Sequence, residues 1–237
     1  MRREHGWRLL VDGTVQSYVD TADPHYLDVP SMRWLALLVE AAAPGGAPLR
    51  ALHLGAGAMT LPRHLIAGRS GSSQEVVEID PVLLELVSSV LPPVPGNPRI
   101  RVGDALTALA GKRPGSVDLV VADVFSGGRV ASHVASAQAV QAASRAGGPG
   151  GSFLANIGDG GGLGLARALV ASVLANFPHA YLVSTDEILR GDRFGNLVVA
   201  GTRGPAPEAR VRDVLAADPV PSRLLCGGEL VAFVTAT

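Results

Sequence analysis

Cysteine is almost missing from this chain of 237 residues: Cys226 stands alone. A single thiol excludes a disulfide framework and a cysteine-based zinc site. Lysine is as scarce, with Lys112 the only one, so arginine carries the positive charge. The net charge of −1 offers no basic footprint for nucleic acid or an anionic membrane, and neither is expected as a partner. No apolar run approaches the roughly 20 residues that span a bilayer, and no apolar stretch of the signal-peptide kind stands near Met1. A cytoplasmic protein is the expectation. The six histidines, His5, His25, His53, His64, His133 and His179, lack metal-ligand spacing, so no metal site is expected.

What the chain does have is apolar residues, 47% of the total, enough for a sizeable core. Its length suits one α/β domain with a small appendage. The organising stretch is Arg50 to Asp80. Ala51-Leu52-His53-Leu54 reads as a buried parallel strand that stops at Gly55-Ala56-Gly57. Thr60 to Ala67 has helical spacing, and Glu75-Val76-Val77 starts a second strand with Glu78 and Asp80 at its end. Glycines let backbone approach a ligand, and a helix start offers free N–H groups. An acid about 20 positions further on, here Glu78, can accept hydrogen bonds from a ribose diol. A dinucleotide site wants a third glycine where this chain has Thr60. An adenosyl sulfonium such as S-adenosylmethionine has no pyrophosphate and does not need it.

Before this stretch, Trp7 to Ser17 reads as a hairpin turning at Asp12-Gly13. Tyr18 to Pro30 reads as loop, and Ser31 to Ala43 as a helix with Ser31 as N-cap. The expected division is 1–30, hairpin and connector, and 31–237, a nucleoside-binding Rossmann-like domain. After it, Asp80-Pro81 is a helix start with Asp80 as cap. Arg99 to Val102 is a strand, and Asp104 can cap the helix that follows or accept from an adenine amino group. Val117 to Val124 is a buried strand with Asp123 near its carboxyl end, where ligands bind in open α/β sheets. Phe125 to Val130 reads as a loop over the pocket. Ala131 to Ala146 and Gly164 to Phe177 read as helices. Ser152 to Asn156 reads as a strand, and Ile157 to Gly162 as a glycine-rich rim loop holding Asp159. Ala180 to Val183 and Asn196 to Ala200 are closing strands, Glu208 to Ala217 a helix, and Glu229 to Val234 a last strand.

In order, these segments resemble the spermidine synthase family, a branch of the class I S-adenosylmethionine methyltransferase fold. "LLVDGTVQS" is similar to the family's "LDGxxQ" hairpin, "LHLGAGAMT" stands where it has "GGGDGG", and "VVEIDPVLLEL" matches its "VEID" turn. "IRVGDALTAL" matches its "GDG/GDA" turn, and "DLVVADVFSGG" lies where it has "DVIIVDSSDP". The segment 177–201 is similar to its closing segment. The resemblance implies an α/β fold: a parallel sheet with helices on both faces, an antiparallel closing strand and an N-terminal hairpin. It implies a cofactor set of Gly55, Ala56, Gly57, Glu78, Ile79, Asp104 and Ala105, with Glu78 on the ribose and Asp104 on the adenine amino group. Asp123 would orient and deprotonate an attacking amine, and Gln16 and Ser126 would face the acceptor. The donor would be S-adenosylmethionine or its decarboxylated form, leaving S-adenosylhomocysteine or methylthioadenosine. A small amine would be the acceptor and a homodimer the assembly.

The pattern departs from the family in the amine half of the site. An aspartate of "GGGDGG" falls at Ala56, the second aspartate of "DSSD" falls at Ser126, and the family's Tyr-Gln pair falls near Ser31-Met32. A dicationic acceptor needs buried negative partners at both ends. The readings that follow are an aminopropyl or other alkyl transferase with an altered acceptor, a small-molecule methyltransferase, and a non-catalytic nucleoside binder. An NAD oxidoreductase is disfavoured by Thr60.

Overall fold

The computed structural model describes residues 5–11, 13–96, 98–126, 129–130, 132–204 and 208–236. An antiparallel hairpin comes first, β1 (Gly6–Val11) with β2 (Thr14–Asp20). The second strand extends to Asp20, past the expected loop start at Tyr18, and its turn residue Asp12 lies outside the described residues. Next come α1 (Pro30–Ala42), β3 (Arg50–Leu54), α2 (Thr60–Gly68), β4 (Ser73–Glu78), α3 (Pro81–Val90), β5 (Arg99–Val102) and α4 (Ala105–Ala110). The chain continues through β6 (Leu119–Ala122), β7 (Phe125–Ser126), β8 (Arg129–Val130), α5 (Ala137–Gly147), β9 (Ser152–Asp159) and α6 (Gly164–Asn176). It closes with β10 (His179–Ser184), α7 (Asp186–Leu189), β11 (Gly195–Thr202), α8 (Glu208–Ala216), β12 (Arg223–Cys226) and α9 (Gly228–Thr235).

Eight strands form the main sheet, ordered β12-β10-β11-β9-β6-β3-β4-β5. The run from β9 to β5 is parallel, and β11 enters antiparallel beside β9. Alternation sorts the side chains. Leu52 and Leu54 of β3 face the layer of α4, α5, α6 and α9, with Leu109, Val140, Leu169 and Leu230. Ala51 faces the layer of α1, α2 and α8, with Trp34, Leu35, Leu65 and Val211. Each fully buried leucine in these layers contributes about 2 kcal/mol by leaving water.

Local signals explain most boundaries. The Asp80 carboxylate accepts from Val82 N–H and Leu83 N–H, and Pro81 opens α3. At α1 the expectation is corrected: Pro30 starts the helix, Val29 sits at the cap without a side-chain bond, and Ser31 is buried inside. Ser136, rather than Ala131, marks the start of α5: it caps the helix by accepting from Ala139 N–H, after a separate 3-10 turn at Ser132–Ala135. The expected glycine-rich loop is shorter, because β9 runs to Asp159 and pairs with β11 throughout.

The expected last strand is overturned. Glu229 to Val234 belongs to helix α9, with Leu230 and Phe233 buried at helical spacing. Arg167 reaches from α6 to the carbonyls of Phe233 and Ala236 and secures the end of that helix. The sheet edge is taken instead by Arg223–Cys226, which pairs with β10. Among the described residues, no helix is long and apolar enough to cross a membrane.

Candidate functional site at the strand tips

The ladder continues past the strand ends and lines up four turns along one sheet edge. Gly55 N–H donates to the Val77 carbonyl at 2.8 Å, Asp123 N–H to Leu54 at 2.9 Å, and Gly103 N–H to Glu78 at 2.8 Å. Gly55, Glu78-Ile79, Gly103-Asp104 and Asp123 therefore stand side by side at the carboxyl ends of β3, β4, β5 and β6. This is the edge where open α/β sheets place ligands.

Glycine is required at the first of these turns. Gly55 has φ +92°, and a Cβ there would lie 2.3 Å from the Asp123 carbonyl oxygen. Gly57 has φ +48°, and a Cβ there would meet the Ser17 hydroxyl at 2.6 Å. Met59 follows in the left-handed region at φ 59°, which costs about 1 kcal/mol for a residue with a side chain. The turn is roofed by the hairpin: Ala58 N–H donates to Ser17 Oγ at 3.3 Å, and Thr60 Oγ1 donates to the Tyr18 carbonyl at 3.0 Å.

Glu78 is buried and ties two turns together. Its Oε2 accepts from Ala56 N–H at 2.8 Å, and Oε1 accepts from Ile79 N–H at 2.9 Å and Asp80 N–H at 3.0 Å. A carboxylate has about four acceptor positions, so one remains for a ligand hydroxyl. Beside it Ile79 is 62% exposed, an apolar surface at the lip of the cleft. Asp104 Oδ1 accepts from Thr107 N–H at 2.7 Å and caps α4, which Ala105 opens.

Asp123 differs from these acids. Its Oδ1 accepts from Asn156 Nδ2 at 2.9 Å, and it has no salt bridge among the described residues. Burial pushes its carboxyl up to about 6, against the smaller opposing effect of the Asn156 bond. Asn156 is buried on β9 at 3% exposure, and its Oδ1 has no hydrogen-bond partner. An unpartnered buried acceptor beside a carboxylate of raised pKa is suited to hold an N–H group and take its proton. Below the glycine turn, Asp123, Ser17, Met32, Thr60 and His53 line a small cavity of about 20 Å³, room for about one water. Burial holds His53 down to about 4, against the bond to Gln74 at 2.7 Å, so it is neutral.

The structure thus brings together Gly55, Ala56, Gly57, Glu78, Ile79, Asp104, Ala105 and Asp123. Gln16 is the extra residue at a bulge of the hairpin, where the register shifts opposite Leu9-Leu10. Ser17, not Gln16, reaches the glycine turn. Within the expected loop, β7 (Phe125–Ser126) and β8 (Arg129–Val130) pair as a short ribbon, and Ser126 pairs there with Arg129 through its backbone. The Ser126 side chain lies outside the described parts. Asp159 does not face the cleft: it accepts from Gly160 N–H and Ala166 N–H at the start of α6. Asn156 and Ser17 are the residues sequence reasoning missed. Asn156 had one signal, a lone amide inside the apolar run "FLANI".

No protein-family model and no curated protein matches the chain. Solved structures do. A probable spermidine synthase from Corynebacterium glutamicum superposes with a TM-score of 0.87 at 27% identity, over 98% of this chain and 86% of that one. A spermidine synthase in complex with the transition state analogue AdoDATO gives 0.63 at 15% identity, over 95% and 76%. Human methyltransferase-like protein 13, in complex with SAH, gives 0.55 at 22%, over 77% and 86%. The parallel sheet with helices on both faces, the antiparallel strand beside β9 and the leading hairpin give this chain the spermidine synthase-like form of the class I methyltransferase fold.

Proposed function

We propose that the protein is a transferase that binds S-adenosylmethionine or its decarboxylated form at the strand tips. It moves an aminopropyl or other alkyl group to an amine. Residues 31–237 would form the nucleoside-binding body, and residues 1–30 the hairpin and connector that roof it. The observation that carries the reading is Asp123: a carboxylate with a raised pKa and no cationic partner among the described residues, one ladder step from the glycine turn and two from Glu78. The similar structures, a spermidine synthase with AdoDATO and a methyltransferase-like protein with SAH, support the donor class.

The residues fit a nucleoside. The remaining acceptor position of Glu78 suits a ribose hydroxyl, Ile79 offers an apolar face for a base, and Asp104 stands at the next turn. The sulfonium, when bound, supplies an electrophilic carbon and a thioether leaving group. Asn156 Oδ1 accepts one N–H of the incoming amine and Asp123 takes the proton released as the new C–N bond forms. Positioning and one proton transfer are what the protein adds. Ser126 places no carboxylate for a second ammonium of the acceptor, so a monoamine is the favoured acceptor, and Ala56 leaves an aminopropyl ammonium without a carboxylate at the glycine turn. We expect cytoplasmic location and a homodimer, which light scattering checks.

Thermal denaturation with methylthioadenosine and with S-adenosylmethionine tests the reading. A ligand that binds only the folded state raises Tm, by about 2.7 kcal/mol of stabilisation at a hundredfold excess over Kd. No shift with either compound at saturation overturns it.

A further inference from the structure

A sizeable cavity lies away from the strand tips. It lies between α1 and α2 and has a volume of about 380 Å³, within the range of small-molecule pockets. Its lining includes Gly68, the last residue of α2, about 12 Å along the helix from the glycine turn at Thr60. It is separate from the nucleoside site.

The lining divides by chemistry. Leu27, Ala36, Leu37 and Leu65 supply apolar surface. Two acids, Asp218 and Glu40, are already paired with arginines. Asp218 accepts from Arg33 Nε at 2.9 Å and from Val220 N–H at 2.7 Å. Glu40 accepts from Gly45 N–H at 3.1 Å and from Arg69 Nη2 at 2.7 Å. The donors are not all used. Arg33 bonds through Nε and Nη1, and its Nη2 has no partner among the described residues. Arg69 bonds through Nη1 and Nη2, and its Nε has none. His64 stacks edge-on against His25 at 5.6 Å, and its Nδ1 is buried without a partner. Burial first, and His25 beside it, lower the His64 pKa, against the opposing effect of the Pro24 and His25 backbone.

A buried ring nitrogen without a bond costs free energy that a ligand can restore. Free guanidinium N–H groups select oxygen acceptors, most strongly anionic ones. The two resident carboxylates repel a second negative charge. We propose that this cavity is a second small-molecule site that binds a monocarboxylate with a compact apolar body. The carboxylate bonds the spare N–H groups of Arg33 and Arg69, a ligand atom reaches His64, and the apolar body rests on Leu37 and Leu65.

Isothermal titration calorimetry of the full chain tests this with phenylacetate, indole-3-acetate and octanoate, against phenethylamine and tryptamine. At least one carboxylate is expected to bind saturably with Kd of about 1 mM or tighter, and the matching amine about tenfold or more weaker. Ala36→Leu fills the cavity from α1, and Gly68→Leu fills it from α2, where a Cβ meets only His25 Cε1 at 3.6 Å. Each should weaken the carboxylate about tenfold or more while leaving methylthioadenosine binding unchanged. Circular dichroism melts establish that each variant folds, and either folded variant suffices. Absence of saturable binding by all three carboxylates, equal binding of the amines, or full affinity in a folded filled variant overturns the proposal.

Discussion

Asn156 donates its amide N–H to Asp123 across 2.9 Å and leaves its own carbonyl oxygen buried with no partner. The bond lowers the pKa that burial raises, and the spare oxygen is the only side-chain amide acceptor left in that state among the described residues. Replacing Asn156 by Leu is expected to move the acid limb of the pH–rate profile upward and to lower turnover. Removing the unpartnered oxygen offsets much of the lost bond, so stability should change by less than about 1 kcal/mol. Urea denaturation and rates against pH check both halves.

Two buried groups titrate against each other. Asp123 is raised to about 6, so the folded state holds its proton longer than the unfolded chain. Its contribution falls as pH rises from about 4 to about 6. His53 is lowered to about 4, so the unfolded chain takes the proton first, and its contribution is lost as pH falls from about 6.5 towards 4. Asp123→Asn removes the first effect. It is expected to stabilise the protein at pH 7 by about 1–2 kcal/mol and to steepen the acid loss. His53→Gln removes the second and is expected to flatten it. Denaturation midpoints from pH 4 to 7 measure both slopes.

Gly55→Ala sets a Cβ 2.3 Å from the Asp123 carbonyl at a φ of +92°. It is expected to cost at least about 2 kcal/mol and to abolish nucleoside binding. Gly103→Ala is the control at the neighbouring tip, with open space around its Cβ, and should stay within about 0.5 kcal/mol of wild type. Chemical denaturation of the pair gives the comparison.

Glu78→Ala would leave three N–H groups, of Ala56, Ile79 and Asp80, without their acceptor. A loss of about 3 kcal/mol and of methylthioadenosine affinity is expected. Calorimetry and urea denaturation separate the two effects.

Much of this was legible in the sequence because it is local. Asp80-Pro81 marks its own helix start, and Gly55-Ala56-Gly57 followed by Glu78 marks a strand–turn–helix–strand unit within one short span. The rest depends on pairing across the sheet. Asn156 meets Asp123 only because Ala122 pairs with Ala155, 33 residues on from it in sequence. Ser17 meets the glycine turn beside a bulge that shifts the hairpin register at Gln16. Glu229 to Val234 has the composition of a strand, but the edge it would occupy is already paired to Arg223–Cys226, so its apolar residues pack at helical spacing.

The central claim is that Asp123 takes the proton of the attacking amine while Glu78 and its neighbours hold the nucleoside. Single-turnover release of methylthioadenosine from decarboxylated S-adenosylmethionine and a monoamine, by Asp123→Asn against wild type, tests it most directly. The account predicts a rate lower by about 10²–10⁴-fold with nucleoside Kd changed by less than about threefold. An unchanged rate, or a loss of binding as large as the loss of rate, would contradict it.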